Sequence, residues 1–312
     1  MKTVHKAVFG ILSVFIALFA AQAVLVANRT SEMMTEAAER TVKSVVDETA
    51  VKVDRQIHAV EAVTRNFAWV VGEHVAEPDY MYRITHELVE NNDFIIGSAV
   101  AFEPNFYREK GRIFAPYSCV STNGQTVSFS LSNDFYAQEW YRGAKDCGSA
   151  RWCEPYFDEG GAGIMMCTYS VPLTNATGEV YAVLTADVSL DDMTKRIAAI
   201  CPYPQSYAVM ISCAGKYLVM PPQGRTIERS EETITVRGQT DNGWVIAIVC
   251  PIENVLNCAR RLAFLVVLSA VFGLLIIVPV SWVNFSRLQR ESVVREWVTD
   301  RLKTAKRELS VR

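Results

Sequence analysis

Two long apolar runs without a single charge constrain this chain more than anything else in it. They are AVFGILSVFIALFAAQAVLVA, Ala7 to Ala27, and LAFLVVLSAVFGLLIIVPVSWV, Leu262 to Val283. As helices, at 1.5 Å per residue, each reaches about 30 Å, the thickness of a bilayer's hydrocarbon core. A buried core helix of this length shows a polar face, and neither run has one. Both runs are therefore expected to span a membrane. The first has a rival reading: a basic start, MKTVHK, and an Ala21-Gln22-Ala23 triplet fit a cleaved signal peptide. Its apolar character continues through VLVA, which favours an uncleaved anchor.

Positive charges set the orientation. Lys2 and Lys6 precede the first run, and Arg287, Arg290 and Arg295 follow the second. Arg29 and Arg260–Arg261 lie on the other side, so the bias is modest. It places both ends in the cytoplasm and residues 28–260 outside it. All eight cysteines lie in that outer segment, which an oxidising compartment permits to form disulfides. Cys147 and Cys153 are the nearest local pair, and buried free thiols are the equal alternative. The charge balance, 31 basic against 34 acidic side chains, lacks the basic surplus of a nucleic-acid binder.

Within the outer segment, Val42, Val45, Val46, Val53, Ile57, Val60, Val63 and Phe67 recur at helical spacing and predict one long helix rising from the first run. A second helix is expected over Tyr80–Asn91, stopped by Asn91-Asn92-Asp93. IIGSAVAFEP, IFAPYSCVS and TVSFSLS read as strands, the last two joined by a hairpin at Thr122-Asn123-Gly124-Gln125. EWYRGAKDCGSARWCEPYFDEGG, Glu139–Gly161, has neither helical nor strand period. Two strands follow, turning at Asn175 to Gly178, then a helix at Leu190–Ile200. Past Cys201-Pro202-Tyr203-Pro204, two hairpins turn at Ala214-Gly215-Lys216 and Asp241-Asn242-Gly243. A short helix, Ile252–Arg261, leads into the second apolar run.

Trp140-Tyr141, then Trp152-Cys153-Glu154-Pro155-Tyr156-Phe157-Asp158, Tyr169-Ser170-Val171-Pro172, and Gly178 leading to Asp187-Val188-Ser189-Leu190 occur in that order between the apolar runs. This order resembles the double Cache sensor domain of bacterial transmembrane receptors over about residues 30 to 258. The resemblance implies an α+β membrane protein, with a long helix and two stacked PAS-like modules between two transmembrane helices. Its parts are a cytoplasmic start (1–6), a first span (7–27), a stalk helix (28–78), a membrane-distal ligand-binding module (79–200), a membrane-proximal module (201–258), a second span (259–283) and a cytoplasmic coiled-coil helix (284–312). The implied location is the bacterial inner membrane, crossed more than once. The implied partners are a small-molecule ligand, the membrane and a second copy of the chain, met through the stalk and the cytoplasmic helix. No nucleic acid is expected.

The same resemblance places a ligand among Gln138, Trp140, Tyr141, Tyr156, Asp158 and Asp187. Trp140 and Tyr141 would wall the pocket, Tyr156 and Asp158 would face it from a roof loop, and Asp187 would close its polar end. Two carboxylates among aromatic rings suit a cationic or amino-bearing ligand. Amino-acid-binding members carry an Arg two residues before the Trp, to hold the ligand carboxylate. Gln138 stands there and carries no charge, which counts against an α-amino acid. Packing, for Trp140 and Tyr141, and turn capping, for Asp158 and Asp187, are the competing roles. Trp152 and Pro155 read as packing and turn residues.

Catalytic patterns are missing. The four histidines have no metal spacing, and the cysteines lack paired C-x-x-C motifs. There is no nucleophile elbow, P-loop or kinase signature. No cofactor, metal or enzymatic activity is expected of these residues. The tail after Val283 is charged and free of Gly and Pro, with Val298, Leu302, Ala305 and Leu309 spaced as in a coiled-coil seam. RLKTAKRELSVR resembles the helix preceding SpoIIE-type serine/threonine phosphatase domains, and also linkers ahead of histidine kinases and cyclases. A cytoplasmic output module beyond Arg312 is the expectation. The alternatives are the sensor part of a histidine kinase, cyclase or chemoreceptor, or a ligand-free, membrane-anchored assembly protein.

Overall fold

The computed structural model describes residues 2–222 and 233–309. The chain divides into two compact units, residues 36–255 and residues 1–35 with 256–312.

In the 36–255 unit, helix α1 (Lys2–Glu73) contributes its later turns. Ala38, Val42, Val46, Val53, Ile57 and Val60 fall on one stripe and are all buried. Helix α2 (Tyr80–Glu90) ends where Asn91 and Asn92 turn their amides back onto the Glu87 and Leu88 carbonyls, at 2.9 and 2.7 Å. These bonds satisfy two acceptors that the helix end leaves open.

A seven-stranded antiparallel sheet follows. It comprises β1 (Gly97–Phe102), β2 (Pro116–Val120), β3 (Thr126–Ser130), β4 (Arg151–Trp152), β5 (Tyr156–Phe157), β6 (Met165–Thr174) and β7 (Val180–Ser189). The order is β3-β2-β1-β7-β6-β4, with β5 also paired to β6. Strand alternation gives the sheet two faces. Val100, Phe102, Tyr169, Val171, Leu184 and Ala186 pack with α1 and α2. Ala99, Ala101, Tyr117, Cys119 and Val183 form the opposite face, under helix α3 (Glu139–Cys147).

Helix α3 corrects the aperiodic reading of Glu139–Gly161. It is nine residues long, so Trp140, Tyr141 and Ala144 are all the buried stripe it can show. Gly148, left-handed at φ 62°, closes it, as glycine does at many helix ends.

Helix α4 (Leu190–Ala198) starts directly from β7, and Ser189 caps it by accepting from the Asp192 amide at 3.3 Å. A four-stranded sheet comes next: β8 (Tyr207–Ile211), β9 (Tyr217–Val219), β10 (Thr233–Gln239) and β11 (Val245–Pro251), ordered β10-β11-β8-β9. Its core joins Met210, Ile246 and Ile248 to Val42, Val46 and Ile57 of α1 and Leu190 and Ile197 of α4. Both hairpin turns lie where the sequence places them, with Gly215 and Gly243 at positive φ.

In the other unit, helix α5 (Ile252–Leu309) runs unbroken, with Pro279 inside it. Among the described residues, one stretch is long and apolar enough to cross a membrane, Phe264–Asn284. Its Phe264, Leu265, Leu268, Phe272 and Leu275 are all exposed. The first apolar run forms part of α1, and the side chains of its residues 7–12 lie outside the described set, as do those of Leu302, Ala305 and Leu309. Two-span topology is therefore not established.

Candidate ligand site

The second face of the large sheet is built of small residues where it meets β7. Gly97 of β1 pairs with Asp187 of β7, and Asp187 pairs with Thr168 of β6. With side chains alternating along each strand, Asp187 and Thr168 share the face that holds Ala99 and Tyr117. The Thr168 hydroxyl donates to Asp187 Oδ1 at 2.7 Å and lies 2.9 Å from the Tyr156 hydroxyl. A Cβ on Gly97 would stand 2.6 Å from Asp187 Oδ2 and nearer still to the Tyr117 hydroxyl, so only glycine leaves room for both groups.

A glycine-rich loop covers this cluster. Asp158 Oδ2 accepts from the Ala162 amide at 2.7 Å, and the Asp158 amide and carbonyl close the loop through Ile164 and Gly163. Gly161 lies flat on Tyr117, where a Cβ would approach the ring to 2.7 Å. At Gly160 a Cβ would meet Asn133 at 2.5 Å.

Asp187 is 3 % exposed, and the groups acting on it are Thr168, Tyr117 and Asp158, none of them a cation. Loss of water, opposed by the hydroxyls of Thr168 and Tyr117 and reinforced by the charge of Asp158, raises its carboxyl to about 7. Tyr117 is equally buried, and its hydroxyl meets no partner at hydrogen-bonding geometry. Burial, with Asp187 nearby, drives the Tyr117 and Tyr156 phenols well above their usual range, so both stay neutral donors. A buried carboxylate, a second one in the roof and the hydroxyls around them can receive a compact cation or a group rich in N–H donors.

Asp187, Asp158 and Tyr156 are thus brought together. Trp140 and Tyr141 join the same apolar cluster through Phe135, at ring distances of 5.5 and 5.2 Å. The Tyr141 hydroxyl donates to Glu103, which also pairs with Lys145 at 2.7 Å, at the far end of β1 from Gly97. Gln138 is exposed at the start of α3 and does not enter the cluster. Tyr117, Thr168 and Gly97 are additions to the expected set. They sit on three separate strands, and only the pairing register puts them beside Asp187.

Trp152 packs, as expected. It lies 5.3 Å from Tyr169 and 5.4 Å from Trp244, and its indole N–H donates to Glu61 at 2.9 Å. Cys147 and Cys153 are free, Cys147 exposed and Cys153 buried beside Cys167. Among the described residues no group of His, Cys, Asp or Glu side chains is arranged to hold a metal.

Residues 81–195 match the family model for the first PDC sensor domain of methyl-accepting chemotaxis protein-like receptors. No curated protein matches the chain in sequence. Solved structures of receptor sensor domains share its fold. Methyl-accepting chemotaxis protein X is 19 % identical with a TM-score of 0.60, covering 70 % of this chain and 98 % of its own. The periplasmic sensory domain of the Campylobacter jejuni chemoreceptor Tlp1 is 11 % identical with a TM-score of 0.60, covering 72 % and 98 %. The ligand-binding domain of the Pseudomonas aeruginosa amino acid chemoreceptor PctB, in complex with L-Arg, is 16 % identical with a TM-score of 0.52, covering 69 % and 96 %. The Cache-type sensor resemblance read from the tryptophan, tyrosine and aspartate motifs is borne out. The tail's resemblance to a phosphatase linker finds no counterpart among these matches.

Proposed function

We propose that the chain is the sensing part of a bacterial transmembrane receptor, taking a small cationic or amine-bearing molecule from outside the cytoplasm. Asp187, Asp158 and Tyr156 would bind its positive end, with Tyr117 supplying a further hydroxyl and Trp140 and Tyr141 the apolar wall. The observation that carries this reading is the buried Asp187, a carboxylate with no cation, enclosed by hydroxyls and a second carboxylate. That arrangement is costly in an empty protein and is compensated by a ligand that brings N–H donors.

The fold supplies a route for the signal. Only Val188 and Ser189 separate Asp187 from Leu190, which is buried in the core of the smaller sheet. That sheet's β11 passes without a break into α5 at Ile252, and α5 contains the apolar stretch Phe264–Asn284. A ligand that pulls β7 toward the roof loop would shift α4 and the smaller sheet, and through β11 the membrane helix. It biases signalling only by its differential affinity for the two states. The output would be a cytoplasmic module, a histidine kinase, chemoreceptor, cyclase or SpoIIE-type phosphatase, reached by the charged helix after Val283. A dimer would form along the stalk and this helix.

Thermal unfolding of the detergent-solubilised chain against a metabolite library tests the reading. Stabilisation by amines, lost in Asp187→Asn, is expected. A topology reporter fused at Trp140 and active only in the cytosol would overturn it.

A further inference from the structure

We infer that the Asp187 pocket holds a proton when empty and gives it up when a cationic ligand enters, so that ligand and proton compete for one place. This deepens the proposed function and rests on its cationic ligand.

The geometry leads there directly. Asp187 Oδ1 is occupied by the Thr168 hydroxyl, while Oδ2 lies against Gly97 on the side of the Tyr117 hydroxyl. The groups that face it can be named strand by strand. β1 offers Gly97, and β2 offers Tyr117 and Cys119. β5 and the roof offer Tyr156 and Asp158, and β6 offers Thr168, with Cys153 behind Tyr156. Every one is neutral or acidic. An ionised Asp187 would stand in this enclosure against a second carboxylate with no cation, so a proton on Oδ2 is the simplest neutralisation. An ammonium group delivers the same neutralisation and N–H donors besides. Both need Oδ2, so they exclude one another. When the amine binds, the O–H bond of Asp187 breaks and its proton passes to solvent.

The consequence is a sensor whose apparent affinity depends on acidity. Below about 7, the proton wins by about tenfold per pH unit. Above it, affinity levels off. An acidic medium would silence the receptor at a fixed amine concentration.

The test uses the full chain in detergent micelles, with ethanolamine and putrescine as probes. Affinity is measured by calorimetry at about pH 5.5 and about pH 8.5, on either side of the Asp187 transition, in two buffers of different protonation enthalpy at each. Expected are binding more than tenfold weaker at the lower pH, with buffer-dependent heats showing proton release there and almost none at the higher pH. Asp158→Asn, which removes the second carboxylate, should weaken amine binding and move the transition to lower pH. Equal affinity at both pH values, with no buffer-dependent heat, overturns the exchange and leaves the amine reading standing. No binding of either amine at any pH, while a neutral metabolite does bind, overturns both.

Discussion

The Thr168 hydroxyl donates to Asp187 Oδ1 at 2.7 Å, across two strands on which these residues are direct partners. The next residue, Tyr169, points through the sheet to the opposite face, where its hydroxyl accepts from Arg65 Nε at 2.9 Å. Strand β6 therefore touches the candidate site with one side chain and the long helix with the next. A shift of β6 by a fraction of a residue is felt at both places.

The buried carboxyl makes a statement about stability. Asp187 is raised to about 7 in the folded chain, against an ordinary value of 3.8. Between these values the folded state holds a proton that the unfolded state has released. Its contribution is present in full below the unfolded value and is lost as pH rises through about 7. The slope is about 1.4 kcal/mol per pH unit at most within the window. Thermal unfolding of the chain should show stability from this group falling from about pH 4 to about pH 7, and Asp187→Asn should flatten that part of the profile. An unchanged profile in the variant would place the titration elsewhere.

The roof loop offers a contrast between two glycines. At Gly161, alanine forces its methyl against Asp158 and the Tyr117 ring, both held by the cluster below. Overpacking of this kind costs about 1–3 kcal/mol and displaces the ring from Asp187. At Gly163 there is open space around the Cβ position, but φ is +69°. Gly163→Ala should cost about 1 kcal/mol from backbone strain alone. Melting temperatures should rank wild type above Gly163→Ala above Gly161→Ala, and only the last should impair ligand binding.

How far the sequence speaks depends on whether a signal is local. The long helix was legible because Val42, Val46, Val53, Ile57 and Val60 repeat over several turns. Gly215 and Gly243 marked the turns because only positive φ makes glycine necessary there. Helix α3 escaped because its nine residues show one buried i, i+4 pair, Trp140 and Ala144, and contain Gly143. The site shows the same division. Tyr156 and Asp158 announce themselves in one motif, whereas Tyr117 lies some 40 residues upstream in an ordinary strand pattern. Nothing in the sequence gives the register that sets it beside Asp187. Gln138 stands apart from the cluster, and its position before Trp140 says nothing of which way the first turn of α3 faces.

Thiol accessibility can be counted by mass. Cys147 and Cys213 are exposed, whereas Cys119, Cys153, Cys167 and Cys250 are buried. Burial also pushes the Cys119 and Cys250 thiols up, and Cys153 beside Cys167 raises that thiol further. Since the thiolate is the reactive form, alkylation of the folded chain under reducing conditions should, among the described cysteines, stop at the exposed pair, with Cys201 intermediate. The four buried thiols should react only after unfolding. Rapid labelling of Cys153 in the native chain would contradict its position behind Tyr156.

Trp152 joins three elements and should be the costliest single truncation outside the site. Its ring meets Tyr169 of the large sheet at 5.3 Å and Trp244 beside the small sheet at 5.4 Å, while its N–H donates to Glu61 of α1. Truncating a tryptophan in such a place loses buried area, two aromatic contacts and a hydrogen bond to a charged group, about 3 kcal/mol or more. Trp152→Phe keeps most of the packing and leaves the Glu61 carboxylate with only Arg65, 3.9 Å away. That loss is about 1–2 kcal/mol. Adding Glu61→Gln to Trp152→Phe should cost less than the sum of the single changes, because the two groups serve one bond. Trp69 is the control, since it is 69 % exposed on the same helix, and its replacement by alanine should change stability by less than about 0.5 kcal/mol. Chemical unfolding of Trp152→Ala, Trp152→Phe, Glu61→Gln, the Trp152→Phe/Glu61→Gln double variant and Trp69→Ala, followed by far-ultraviolet circular dichroism, measures the set. Strict additivity between Trp152→Phe and Glu61→Gln would show that the indole does not bond to α1.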